Sequence, residues 1–132
     1  MFRAIDDELL CSEVLESERV LVITRKNSRV EEPDALRRSY FAAVADPPPD
    51  HARWTVIVDS RIAPPPRGAE TEAAIQASRD ELLRVFGRMI VVIRSAVGRL
   101  QATRYQKSEI VCDDMDRAFE IARAPLTAAR RG

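Results

Sequence analysis

Residues 54–66, with the sequence WTVIVDSRIAPPP, are the stretch from which the fold of this chain can be predicted. The apolar run at residues 56–58 has the length and the β-branched composition of a buried strand. Three polar residues follow it, and three consecutive prolines then lead toward a long helical pattern. This order predicts a strand whose carboxyl end opens onto a rigid loop, and ligands of open α/β sheets usually bind at such ends.

Composition and charge limit what the protein can be. Hydrophobic residues make up 45% of the 132 residues and charged residues 32%, as expected of a single globular domain over residues 1–132. The 21 basic residues equal the 21 acidic ones, so we expect no general affinity for nucleic acid. Apolar runs are far shorter than the ~20 residues that span a bilayer, and the start of the chain has no secretory signal pattern, so a cytoplasmic protein is expected.

The sequence offers little for catalysis or metal binding. Its single histidine, His51, and its two cysteines, Cys11 and Cys112, do not form a zinc ligand set. In a reducing cytosol the thiols are expected to be free rather than joined in a disulfide. The four glycines lack the spacing of a phosphate-binding loop, and one loop histidine does not support a nucleophile and base pair. We therefore expect no enzymatic activity, metal or cofactor.

The rest of the chain predicts alternating strands and helices. Residues 8–15 and 19–25 predict an N-terminal antiparallel hairpin, within residues 8–25, although the first run could also begin as a helical turn. Residues 89–93 are apolar on both faces, as inner parallel strands are, and residues 109–112 predict a short edge strand.

Helix signals fall between these strands. Four helices are predicted. The first begins near Glu31 and ends at Asp46, and the second and third span residues 69–86 and 96–107. The fourth begins at Asp113 or Asp114. Residues 125–132 are expected to fray. The pattern predicts an α/β domain with a mixed sheet of about five strands and about four helices, mainly on one face of the sheet.

Three stretches of the chain resemble a STAS domain, the fold of bacterial anti-sigma-factor antagonists, and more narrowly the uncharacterised bacterial STAS/SEC14-like proteins. They are WTVIVDSRIAPPPRG, RMIVVIRSAVGRLQATRY and EIVCDDMDRAFEIA, and the match covers about residues 20–124. The resemblance implies a βα superhelix and a non-enzymatic regulatory or scaffolding role through binding to a protein partner. Its SEC14-like part implies the alternative, a domain that binds a small apolar or anionic ligand.

The resemblance also implies a place to look for phosphorylation. In the anti-sigma-factor antagonists, a partner kinase modifies a serine or threonine at the start of the helix after the central strand. The corresponding loop here, RGAET at residues 67–71, lacks the Asp-Ser-Ser-Gly motif of that family. Thr71 is the nearest hydroxyl in the turn, and Ser60 lies earlier at the strand end. If such a switch persists, Thr71 should be exposed.

Other candidate contacts with a partner or ligand are charged residues near the predicted strand ends. They are Asp59, Arg61, Arg67, Arg94, Arg99 and Arg104. Asp59 and Arg61 could form a recognition site with Ser60, or Asp59 and Ser60 could satisfy loop backbone donors. Arg94 could bind an anion with the following helix start, or the arginines could form a solvated basic face.

The apolar strands predict that both faces of the sheet need cover. Helices on one side and a short hairpin on the other would leave part of the second face exposed, which favours a homodimer. The alternative is that residues 2–15 fold across that face and leave a monomer.

Overall fold

The structure, a computed structural model, describes residues 1–94 and 109–126. Its strands and helices are β1 (Leu10–Leu15), β2 (Val20–Arg25), α1 (Pro33–Ala43), β3 (Thr55–Asp59), α2 (Ala69–Val85), β4 (Arg88–Val92), β5 (Glu109–Cys112) and α3 (Met115–Ala122). Short 3-10 turns at Glu16–Glu18 and His51–Arg53 precede β2 and β3. The described residues thus contain three α-helices rather than four. The helix predicted over residues 96–107 lies outside them, as does most of the end that was expected to fray.

The five strands form one mixed sheet in the order β1-β2-β3-β4-β5. β1 pairs antiparallel with β2, so the predicted hairpin is present, and β2 to β5 pair in parallel. The prediction of an α/β fold with a mixed five-stranded sheet is therefore confirmed. Because β2 to β5 are parallel, their carboxyl ends lie at the same end of the sheet. We call this end, where the strands stop, the carboxyl edge, and the end where they begin the amino edge.

Side chains alternate along β2, β3 and β4 and divide the core into two layers. The layer against α1 and α2 contains Leu21, Ile23, Val56, Val58, Met89 and Val91. The layer against α3 contains Val20, Val22, Ile57, Ile90 and Val92. Helices therefore lie on both faces of the sheet, and the expectation of helices mainly on one face describes only α1 and α2.

The second face of the sheet was predicted to be partly exposed, but in the described residues it is covered. Its strand residues are buried beneath an α3 that begins at the cap Asp114, whose Oδ1 accepts a hydrogen bond from the Arg117 backbone N–H at 2.7 Å. In the described part of the chain, Met1 and Ile62 are the only large hydrophobic residues that are exposed. The apolar patch from which self-association was predicted is therefore not found there.

The N-terminal segment closes the opposite, amino edge of the sheet rather than the second face. Phe2 is buried in the α1/α2 layer, with its ring centroid 5.2 Å from that of Trp54 and 5.1 Å from that of Phe86. The Trp54 indole N–H donates to Asp50 Oδ1 at 3.1 Å, so its polar end is satisfied. Phe2 therefore does not cover the second face, whereas Leu15 at the other end of residues 2–15 packs against the layer on that face.

Arg88 fixes the end of α3 to the sheet at the same edge. Its guanidinium donates through Nε to Thr55 Oγ1 at 3.1 Å and through Nη2 to the carbonyl oxygens of Ala122 and Ala124, at 2.6 and 2.9 Å. These carbonyls end a helix, where a positive charge is favourable. Burial nevertheless lowers the pKa of Arg88 below its usual range.

The two cysteines lie in the two outermost strands of the sheet, Cys11 in β1 and Cys112 in β5, and both are free thiols, as predicted. Burial raises the pKa of the Cys112 thiol, which keeps it protonated and unreactive at neutral pH.

Gly87 makes the close approach between the turn after α2 and the start of β3 possible. Its backbone N–H donates to Trp54 O at 3.0 Å, and a Cβ at this position would lie 2.0 Å from the carbonyl oxygen of Ala52.

Gly87→Ala should therefore lower the free energy of unfolding by about 1–3 kcal/mol, as overpacking usually does. Urea unfolding followed by Trp54 fluorescence measures the change. The exposed Ala73→Ser on α2 is the control and should stay within about 0.5 kcal/mol of wild type; equal stability of both variants would contradict this packing.

Candidate ligand-binding site

A cavity of about 400 Å³ opens at the carboxyl edge, between the sheet and the layer formed by α1 and α2. We call it the main cavity. Its apolar wall contains residues of β3, β4 and α2 and one residue just beyond β4, namely Val58, Met89, Val91, Ile75, Leu82 and Ile93. Small-molecule sites occupy about 300–1,000 Å³ and are mostly apolar, so the main cavity has the size and the surface of such a site.

Residues 64–66, the three prolines after the central strand, line one side of the main cavity. We call them the proline wall. Proline has a fixed φ and no backbone N–H, so this side is stiff and offers a ligand apolar surface but no amide donor. Ser60, where the chain leaves β3, also lines the cavity, and its carbonyl accepts from Ala63 N–H at 3.3 Å in the turn that leads to the prolines.

Arg25 at the end of β2 projects into this space. Leu21 and Ile23 pack in the α1/α2 layer, and the two-residue period of a strand directs Arg25 to the same side. The residue is 6% exposed and lines the main cavity. Its side chain makes no hydrogen bond or ion pair with any residue in the ranges 1–94 and 109–126, and its buried Nε lacks a partner.

A buried charge without a partner costs several kcal/mol, so natural proteins rarely keep one without a use for it. The neighbouring carboxylate is not available to Arg25. Asp59 lies on the α3 side of β3 by strand alternation and is held by Arg61, with Nε–Oδ1 and Nη2–Oδ2 both 2.9 Å. This hydrogen bonding raises the pKa of Arg61. Asp59 therefore neutralises Arg61 and leaves Arg25 without a partner in the part of the chain that the structure describes.

Among the residues that the structure describes, the charged side chains that line the main cavity are all arginines, although Arg61 is already paired with Asp59. Besides Arg25, its lining includes Arg61, Arg79 and Arg94, and no aspartate or glutamate. Arg94 is exposed just beyond β4. This arrangement favours a ligand with an apolar body and a negative group.

A second, smaller cavity of about 220 Å³ shares Arg25 and the proline wall with the main cavity. It adds two exposed arginines, Arg29 and Arg67, together with Val30 and Thr71. Its described lining likewise contains no carboxylate. Arg25 is thus the charged group common to both spaces.

The structure brings together only part of the predicted set of site residues. Ser60, Arg61 and Arg94 line the main cavity, and Arg67 lines the second one. Asp59 is turned away and paired. Arg99 and Arg104 lie outside the described residues.

Thr71 is 6% exposed, so it lacks the exposure that a phosphorylation switch at this position was predicted to need. The cause is the buried stripe of α2, whose members are Thr71, Ala74, Ser78, Leu82 and Val85. Thr71 begins this stripe at helical spacing and therefore points inward. A hydroxyl in this position is not accessible to a kinase. Ser60 is half-buried at the cavity.

Arg25 was missed by the sequence analysis, as were Arg29 and Arg79. One signal was present, because Arg25 follows Leu21 and Ile23 at intervals of two residues and so continues the inward face of a strand. A cation at an inward position is the pattern that indicates a site.

The described residues contain no group of three or more His, Cys, Asp or Glu side chains that could hold a metal ion. Within the same residues, no helix has the length and the apolar character needed to cross a membrane. No protein-family model and no curated protein matches the sequence. The resemblance to STAS and SEC14-like proteins therefore stays a prediction that rests on the three quoted stretches.

Proposed function

We propose that this domain binds a small amphipathic anion, with the apolar body of the ligand in the main cavity and its acidic group on Arg25. The observation that carries the proposal is the buried guanidinium of Arg25, which has no partner among the described residues and lies at a cavity whose described lining contains no carboxylate. This is the alternative that the SEC14-like part of the resemblance implies. The regulatory role through a protein partner stays a prediction.

The two parts of the site would contribute differently to binding. Apolar surface supplies affinity at about 25 cal/mol per Å² removed from water, without strong orientation. The guanidinium supplies orientation, because its fork of N–H donors matches the oxygens of a carboxylate, sulfate or phosphate. Arg25 is already desolvated by folding, so an arriving anion gains its attraction without a further large desolvation cost for the protein.

The first test uses 2-naphthyl sulfate, an aromatic body with one negative charge, and 2-naphthol, a neutral relative. Calorimetric titration should show the sulfate binding about tenfold or more tightly than the naphthol, since a hydrogen bond to a charged group is worth about 1.5–3 kcal/mol. Arg25→Met should remove this preference. The control Arg53→Met changes an exposed arginine at the amino edge and should leave it intact. Equal binding of the sulfate to wild type and Arg25→Met would contradict the proposal.

The second test concerns stability without ligand. Because Arg25 has no partner among the described residues, Arg25→Met should raise the free energy of unfolding, by about 1 kcal/mol or more. Urea unfolding of the ligand-free proteins measures the difference. A clear loss of stability would show that Arg25 supports the fold instead of serving a ligand.

A further inference from the structure

We propose, as a refinement that rests on the proposed function, that the acidic group of the ligand is a phosphate monoester lodged in the second cavity among Arg25, Arg29 and Arg67. The ligand body would remain in the main cavity. The shared lining, Arg25 and the proline wall, is where the two parts of the ligand would join.

The number of unpaired cations points to more than one negative charge. Neither Arg29 nor Arg67 has a hydrogen bond or an ion pair with another residue of the described ranges, and the same is true of Arg25. A carboxylate or a sulfate ester carries one charge. A phosphate monoester carries close to two at neutral pH and presents three acceptor oxygens, which suits three guanidinium groups.

The start of α2 lies close to the second cavity, because Arg67 just before it and Thr71 in its first turn line that cavity. Its N-cap, Gly68, has φ +88° and supplies no side-chain cap, so the first backbone N–H groups of a 17-residue helix are uncapped there. Thr71 itself, in the first turn, is one of the residues that line the second cavity. Glu70 and Glu72 belong to the same turn, but neither lines either cavity.

The volumes limit the ligand further. The second cavity, at about 220 Å³, has room for one phosphate group. The main cavity, at about 400 Å³, is near the lower end of small-molecule sites and suits one compact apolar body. The predicted ligand class is therefore a phosphate monoester of a single small apolar group.

The experiment compares 2-naphthyl phosphate with 2-naphthyl sulfate, which share body and tetrahedral head but differ in charge. At pH 8 and low salt, calorimetric titration should show the phosphate binding about tenfold or more tightly, from added hydrogen bonds to charged groups. At pH 5 the phosphate carries one charge, because its second pKa is about 6, and the ratio should fall toward one.

Variants separate this refinement from the proposed function. The double variant Arg29→Gln/Arg67→Gln should lose the preference for phosphate and keep its affinity for the sulfate within about twofold, since Arg25 remains. Arg25→Gln should weaken both probes, and the exposed control Arg53→Gln should weaken neither. If wild type binds both probes equally, or if the double variant keeps the preference, the phosphate site is refuted while the cavity proposal stands. If wild type binds neither probe, the proposed function itself fails.

Discussion

The guanidinium of Arg25, which has no partner among the described residues and is enclosed between the sheet and the α1/α2 layer, is the constraint on which the arrangement of the carboxyl edge depends. A charge in that position is unfavourable in the folded protein unless something neutralises it. The one carboxylate on the adjoining strand end, Asp59, faces the other layer and is held by Arg61. The described fold thus provides a cation and withholds its counter-ion, which is the condition for binding an anion from solution.

The two ends of the sheet differ in their packing, since the amino edge is closely packed and the carboxyl edge contains the main cavity. At the amino edge, Phe2, Trp54 and Phe86 pack ring against ring, and Arg88 ties the end of α3 to β3 and β4. At the carboxyl edge the layers separate around the main cavity. The contacts at the amino edge contribute to stability that a buried charge at the other end would reduce, because net stability is only about 5–15 kcal/mol.

Much of this arrangement could be predicted from the sequence because it depends on local pattern. β-branched runs located the strands, and the polar residues after the central strand located the carboxyl edge. Four residues that the sequence singled out near this edge therefore line the two cavities, namely Ser60, Arg61, Arg67 and Arg94. Properties set by tertiary packing were not predicted. Thr71 is small and neither strongly apolar nor charged, so the sequence pattern does not indicate whether it is buried. Its burial depends on how α2 is rotated against the sheet.

The cover of the second face by α3 and the inward direction of Arg25 were missed for related reasons. A short helix at the end of the pattern does not reveal which face it will cover. A positively charged residue at the end of a strand is normally expected to be exposed to solvent. Arg25 is buried because of where the helical layer and the proline wall lie. Both outcomes depend on how elements far apart in the chain pack together.

The most direct measurement is NMR of the arginine Nε–H groups while 2-naphthyl phosphate is added. The account predicts that the Arg25 Nε–H signal shifts at saturation and that its exchange with water slows, because a group without a partner acquires one. The signal of Arg53, at the opposite edge, should stay where it is. A bound ligand that leaves the Arg25 signal unchanged would contradict the claim that this guanidinium is the anion-binding group.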